Sequence, residues 1–172
     1  MAPMTILDSF RLDGQIALVT GAVRGLGWQM AQAFAEAGAR VVLHGRTAEA
    51  SHPRAAELAS RGLAAEATGF DMSDATAAER ALDALLSRHG RIDILLNNVG
   101  ERDRRALDVL TPADFERLID VDLNAAFALA KMVLPDMLAR RSGRIIMVTS
   151  IAADLAAPRS ASYVAAKGGL AA

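Results

Sequence analysis

"QIALVTGAVRGLGWQMAQAFAEAG", residues 15–38, decides the fold. Its first seven residues, 15–21, are an apolar run that stops at glycine, the pattern of a buried strand. "WQMAQAFAEAG" then reads as a helix, with Gly38 as its C-terminal stop. Between the two lies "TGAVRGLG" (20–27), where Gly21, Gly25 and Gly27 follow the spacing Gly-x-x-x-Gly-x-Gly. A turn of this kind uses glycine for a tight bend, for close approach of backbone to a pyrophosphate, and for close helix–strand packing. The helix behind it presents free N–H groups and the positive end of its dipole to the phosphates. A glycine cluster alone is an ordinary turn. Placed between a strand and a helix at the start of a βαβ unit, it predicts dinucleotide binding, with Arg24 and Leu26 in the loop as further contacts.

The same alternation continues outward. "ARVVLHG" (39–45) is a second strand, and Thr47 is placed to cap the next helix, with Pro53 delaying or kinking its start. "AEATGFDM" reads as a third, more polar strand, and Ser73 as the cap of "DATAAERALDALLSRHG". "IDILLNNVG" (92–100) is a fourth strand and "GRIIMVTS" (143–150) a fifth. Between these two, "TPADFERLIDVDLNAAFALAKMVLPDML" opens with a Thr cap, Pro at the first helical position and Asp114 in the capping-box place. It predicts one long helix, tolerating Pro135 as a kink near its end. "ASYVAAKGGLAA" begins a last helix. Continuous apolar strands separated by helices imply a parallel sheet covered on both faces. The expected fold is α/β, a doubly wound, Rossmann-like parallel sheet in three αβα layers, as one domain over residues 1–172.

The second strand carries the choice of cofactor. An acid about 20 residues past the glycines would take the ribose 2′-hydroxyl of NAD. Here "LHGRT" stands there, with no acid until Glu49. Arg46 is placed to meet a 2′-phosphate, with Arg24 approaching from the other side. The alternative is a pair of solvated surface arginines. The expectation is NADP(H) ahead of NAD(H).

Composition bounds the rest. Of 172 residues, 52% are hydrophobic and 23% charged, which favours a globular chain. A net charge of −1 offers no footprint for nucleic acid or an anionic membrane. The absence of cysteine excludes disulfides and thiolate chemistry, and His44, His52 and His89 lack metal-ligand spacing. The N-terminus lacks the pattern of a secretory signal, so a cytoplasmic location is expected.

"TGAVRGLG", "NNVG" (97–100), Ser150 and "YVAAK" (163–167), in this order, resemble the short-chain dehydrogenase/reductase family. The resemblance covers nearly the whole chain from about residue 11. It implies that Tyr163 is the general acid/base and also contacts the cofactor, and that Lys167 is the cation that favours its phenolate and binds the nicotinamide ribose. Ser150, thirteen residues before Tyr163, would hold the substrate oxygen. A strand-end hydroxyl satisfying backbone is the plainer reading of that serine. Asp71 would accept from the adenine amino group with Met72 beside it. Asn98, Val99 and Gly100 would line the adenine ribose, Val99 replacing the family's usual alanine.

Two departures qualify the resemblance. Asp122 in "VDLNAAF" stands where the family has asparagine, which helps hold a relay water near the lysine. Asn124, two residues on, points to another face. The aspartate adds negative charge near Lys167, so a weakened relay is expected. Second, the family continues past the last helix with two more strands and a substrate segment. Either this sequence is a piece of a longer protein or another chain supplies that layer. The resemblance further implies a homo-oligomer built on the long helix and the one after it, and a small alcohol or carbonyl substrate. "GRTAEA" and "NNVGERDRR" look like the gluconate 5-dehydrogenase branch, and Arg102, Arg104 and Arg105 could attract a carboxylate. A 3-oxoacyl-carrier-protein reductase is the alternative enzyme. A non-catalytic nucleotide-binding module, or an inactive fragment, is the alternative of another class.

Overall fold

The computed structural model describes residues 5–155 and 158–172. Five strands, β1 (Ile16–Val19), β2 (Arg40–Gly45), β3 (Ala65–Gly69), β4 (Ile94–Asn97) and β5 (Arg144–Met147), form one sheet in the order β3-β2-β1-β4-β5. Every neighbouring pair is parallel. The winding reverses between β1 and β4, which opens a crevice at the carboxyl ends of these strands.

Although the strands read as unbroken apolar runs, their side chains alternate between two cores. Ile16, Leu18, Val42 and Leu95 face one layer with Leu82, Leu85, Leu129 and Val133. Ala17, Val19, Val41, Leu43, Ile94 and Leu96 face the other, with Trp28, Ala31 and Leu58. Helices α1 (Gly25–Glu36) and α2 (Ala48–Ser60) supply that second layer, and α3 (Ala75–His89) with α5 (Ala125–Arg140) the first. This is the three-layer, doubly wound arrangement expected. Strand β5 has β4 as its one strand neighbour among the described residues, and Ile146 on it is exposed.

Three local expectations are corrected. Pro53 does not delay α2: the Thr47 hydroxyl accepts from Ala50 N–H and the helix begins at Ala48. The proline falls in the second turn, where its missing N–H forgoes one bond without ending the helix. The cap of α3 is Asp74, which accepts from Ala77 N–H at 2.9 Å, and not Ser73. The Ser73 hydroxyl is engaged with the Asp71 carboxylate at 2.7 Å. Third, the long helix is not uniform. It comprises α4 (Pro112–Ile119), a π-helical turn (Asp120–Asn124) and α5. The predicted capping box is present, with Thr111 and Asp114 bonding each other's backbone. The final helix, α6 (Ala161–Ala171), packs against α4, the π turn and a short 3₁₀ turn at Ile151–Ala153.

Candidate active site

The glycine turn begins in backbone that glycine favours. Gly21 has φ +64°, in the left-handed region. A Cβ at Gly27 would collide with the Gly21 carbonyl oxygen and lie 2.5 Å from the Asn98 amide nitrogen, so α1 can approach the turn this closely only through glycine. Arg24 sits at the N-cap of α1, where no side chain caps the first amides and no acid occupies the first turn. The N-terminal donors of α1 are therefore available to an anion.

A cleft of about 910 Å³ opens over this turn. Gly21, Arg24, Gly25, Leu26, Gly27, Arg46, Asp71, Met72, Asn98, Val99 and Gly100 all line it. Of the residues expected to contact a cofactor, Tyr163 and Lys167 lie outside its lining. Arg46 and Arg24 are both exposed at its rim. Asp71 accepts from the Ser73 amide at 2.9 Å and from its hydroxyl, and these bonds hold its carboxyl below the usual range. Asn98 donates to the carbonyls of Thr20 (3.1 Å) and Gly21 (3.3 Å), tying the end of β4 to the glycine turn. Fully buried Thr20 accepts from the amides of Asn98 and Val99.

Beyond Gly100 the cleft meets the residues of the proton-transfer expectation. Lys167 is 2% exposed and donates to the carbonyls of Val99 (3.3 Å) and Val148 (3.0 Å). Burial lowers its pKa, and the nearby Asp122 charge opposes that effect. A side chain at Gly100 would stand 3.2 Å from the Lys167 ammonium and 3.7 Å from Oδ2 of Asp122, so both lie directly beneath the backbone there. The Lys167 nitrogen is 6.0 Å from the centre of the half-buried Tyr163 ring, one helical turn back along α6. The Arg102 guanidinium stands 5.3 Å from the same centre and donates to Ser160 Oγ at 3.1 Å. Ser150 follows β5, and its hydroxyl accepts from Ala152 N–H at 3.2 Å, capping the 3₁₀ turn.

Asp122 lies on the π turn and is 1% exposed. Its Oδ1 accepts from the Glu101 amide at 2.7 Å, while Oδ2 has no partner among the described residues. Burial raises its pKa to about 6, against the opposing pull of the Glu101 amide and the Lys167 charge. Exposed Asn124 bonds Asp120 instead, on another face as expected. The three arginines after "NNVG" separate. Arg105 is taken by Asp103 and Asp114, which leaves Arg102 beside Tyr163 and Arg104 exposed.

The sequence reading missed two residues that hold the glycine turn. Arg54 on α2 donates to the Val23 carbonyl at 3.2 Å and lies 4.6 Å from the centre of the Trp28 ring. His44, 2% exposed on β2, touches the turn from below. A polar residue inside a buried strand requires a partner, and that rule would have singled out His44.

The model of the family described as short chain dehydrogenase matches residues 15–172. A gluconate 5-dehydrogenase of Gluconobacter oxydans (strain 621H) is 38% identical over 161 residues, covering 94% of this chain and 63% of the relative. A 3-oxoacyl-[acyl-carrier-protein] reductase of Synechocystis sp. is 36% identical over 160 residues, covering 92% and 65%. The solved structure of a gluconate 5-dehydrogenase from Burkholderia cenocepacia J2315, in complex with NADP and tartrate, has a TM-score of 0.90 at 40% identity. The match covers 96% of this chain and 65% of that one. The chain thus spans less than two thirds of the length of these relatives.

Proposed function

Because the chain belongs to the short chain dehydrogenase family, we propose that the protein is an NADP(H)-dependent oxidoreductase acting on a secondary alcohol or ketone, with a sugar acid such as gluconate/5-keto-gluconate as the substrate class. The observation that carries this reading is the contact of Lys167 with Val99. It joins the helix of Tyr163 to the end of the nucleotide cleft. The cleft fits the cofactor on its own chemistry: free helix N-terminal donors for the pyrophosphate, two arginines at the rim for a 2′-phosphate, and Asp71 for an adenine amine.

When bound, the reduced nicotinamide supplies a hydride to the carbonyl carbon. In this reading the Tyr163 hydroxyl gives its proton to the carbonyl oxygen during reduction and takes one from the alcohol during oxidation. The Ser150 hydroxyl already accepts from Ala152 N–H. Its hydrogen remains free to donate to the same oxygen. Lys167 and Arg102 bring two positive charges to the Tyr163 ring. Asp122 beneath them adds a negative charge beside Lys167 whenever it is ionised.

Arg102 supports a carboxylate-bearing substrate, since its guanidinium stands beside the reacting phenol and is exposed. An acidic carrier protein would use a wider basic surface, and the engagement of Arg105 with two acids reduces it. The test is NADPH absorbance on the full-length protein with a panel of ketones. Turnover of 5-keto-gluconate, with Arg102→Leu raising its KM about tenfold or more, is the expected result. Tight NADPH binding without oxidation by any ketone would favour the non-catalytic module.

A further inference from the structure

We infer that His44 is the positioning residue of the glycine turn, holding Gly21 in its cofactor-receiving conformation through a neutral imidazole. The inference rests on the nucleotide-binding reading of the cleft.

The ring bridges two segments distant in sequence. Nε2 lies 2.9 Å from the Phe70 carbonyl and Nδ1 lies 3.3 Å from the Gly21 amide nitrogen. A carbonyl only accepts and an amide N–H only donates. Together they allow one protonation state: hydrogen on Nε2, bare Nδ1. The Phe70 ring packs at 4.1 Å between centroids and fixes the plane of the imidazole. The His44 backbone carbonyl also accepts from Ala22 N–H at 2.9 Å. Two consecutive amides of the turn, those of Gly21 and Ala22, thus end on one residue of β2.

Gly21 holds a positive φ, and the Asn98 amide and the N-terminus of α1 both close on its carbonyl. An imidazolium would present a second donor to the Gly21 amide, so protonation breaks the contact that orients the turn. Burial depresses the ring pKa to about 4, with the Phe70 carbonyl and Asp71 at the end of β3 opposing the fall. Arg46, just past the end of β2, carries the neighbouring positive charge at the cleft rim. The neutral ring is therefore maintained at ordinary pH and lost on strong acidification.

The experiment has a cofactor-free arm and a binding arm, both on the full-length protein. Spectra of ¹⁵N-labelled histidine near pH 7.5 are expected to show His44 as the Nε2–H tautomer with bare Nδ1. Calorimetric titration with NADP⁺ then compares the wild type with His44→Leu and His44→Asn. His44→Leu is expected to weaken binding about tenfold. His44→Asn should recover most of that loss, because its side-chain oxygen can stand near the place of Nδ1. Between pH 7.5 and about pH 3.5, below the ring's pKa of about 4, the wild type should lose more affinity than His44→Asn. Thermal melts establish that each variant is folded. If His44→Leu does not fold, the acid comparison of wild type with His44→Asn decides. An Nδ1–H tautomer, unchanged binding in folded His44→Leu, or parallel acid profiles would overturn the inference while leaving the nucleotide reading intact. A wild type that does not bind NADP⁺ would overturn both.

Discussion

The two ends of the cleft are built differently. At the glycine turn, polar groups are met within the chain: Asn98 closes on two carbonyls, Thr20 on two amides, His44 on Gly21 and Arg54 on Val23. At the proton-transfer end, Asp122 Oδ2 and Ser162 Oγ are buried without a partner among the described residues, and Arg102 and Thr149 are exposed. A buried polar atom without a partner is costly. Under the proposed function, the nucleotide end would be organised before any ligand arrives, whereas the reacting end would keep polar capacity in reserve. That division would suit the proposed roles, since a phosphate cradle benefits from rigidity and a proton path needs groups free to exchange.

The contrast can be broken most sharply at Tyr163. On the full-length protein, Tyr163→Phe is expected to lower kcat by about 10²–10⁴ while NADP⁺ affinity, measured by titration, stays put. Joint loss of both would mean that the two ends are not separable. Next in size is Gly27→Ala, which forces α1 away from the turn. A destabilisation of about 1–3 kcal/mol and weaker NADP⁺ binding are expected from denaturant melts and titration.

Asp122 gives an intermediate effect with a definite sign. Its folded pKa of about 6 lies above the ordinary carboxyl value of 3.8. The folded state therefore binds the extra proton, and this group favours folding below the unfolded pKa. That contribution is lost as pH rises through about 6. Asp122→Asn should accordingly be more stable than wild type by about 3 kcal/mol at pH 8, with the gap closing toward pH 4. A constant gap across that range would show that the carboxyl does not titrate as placed. The smallest effect is expected at Arg105, whose charge is spent on Asp103 and Asp114. Arg105→Ala should change stability by less than about 1 kcal/mol and leave the sugar-acid KM unmoved, in contrast to Arg102→Leu.

What was legible in the sequence was what is local. The glycine spacing after an apolar run and the Thr111–Asp114 box are each contained within a few residues, so pattern alone located them, while Asp122 stood out only against the family's usual asparagine. What was missed depends on contacts across long separations. His44 reaches the turn 23 residues earlier, and Arg54 reaches Val23 across 31. No local spacing encodes such a meeting. Ser73 was preferred over Asp74 as a cap because both residue types suit the role. Only the folded position of Asp71, which takes the serine hydroxyl, separates them.

The π turn has a consequence for how the long helix keeps its phase. Its buried positions are Leu118, Val121, Asp122, Ala126, Leu129, Val133 and Met137, and those packed in the sheet core, Val121, part-buried Ala125, Leu129, Val133 and Met137, advance by four residues each. A straight α-helix repeating every 3.6 residues would gradually rotate such a series off the sheet. The wider turn at Asp120–Asn124 absorbs one surplus residue and resets the angle. Both halves then keep their inward face, and Asp122 falls at the splice. Removing a single residue there would let a regular ladder run through, at the cost of turning the aspartate about 100° away from the lysine it now underlies.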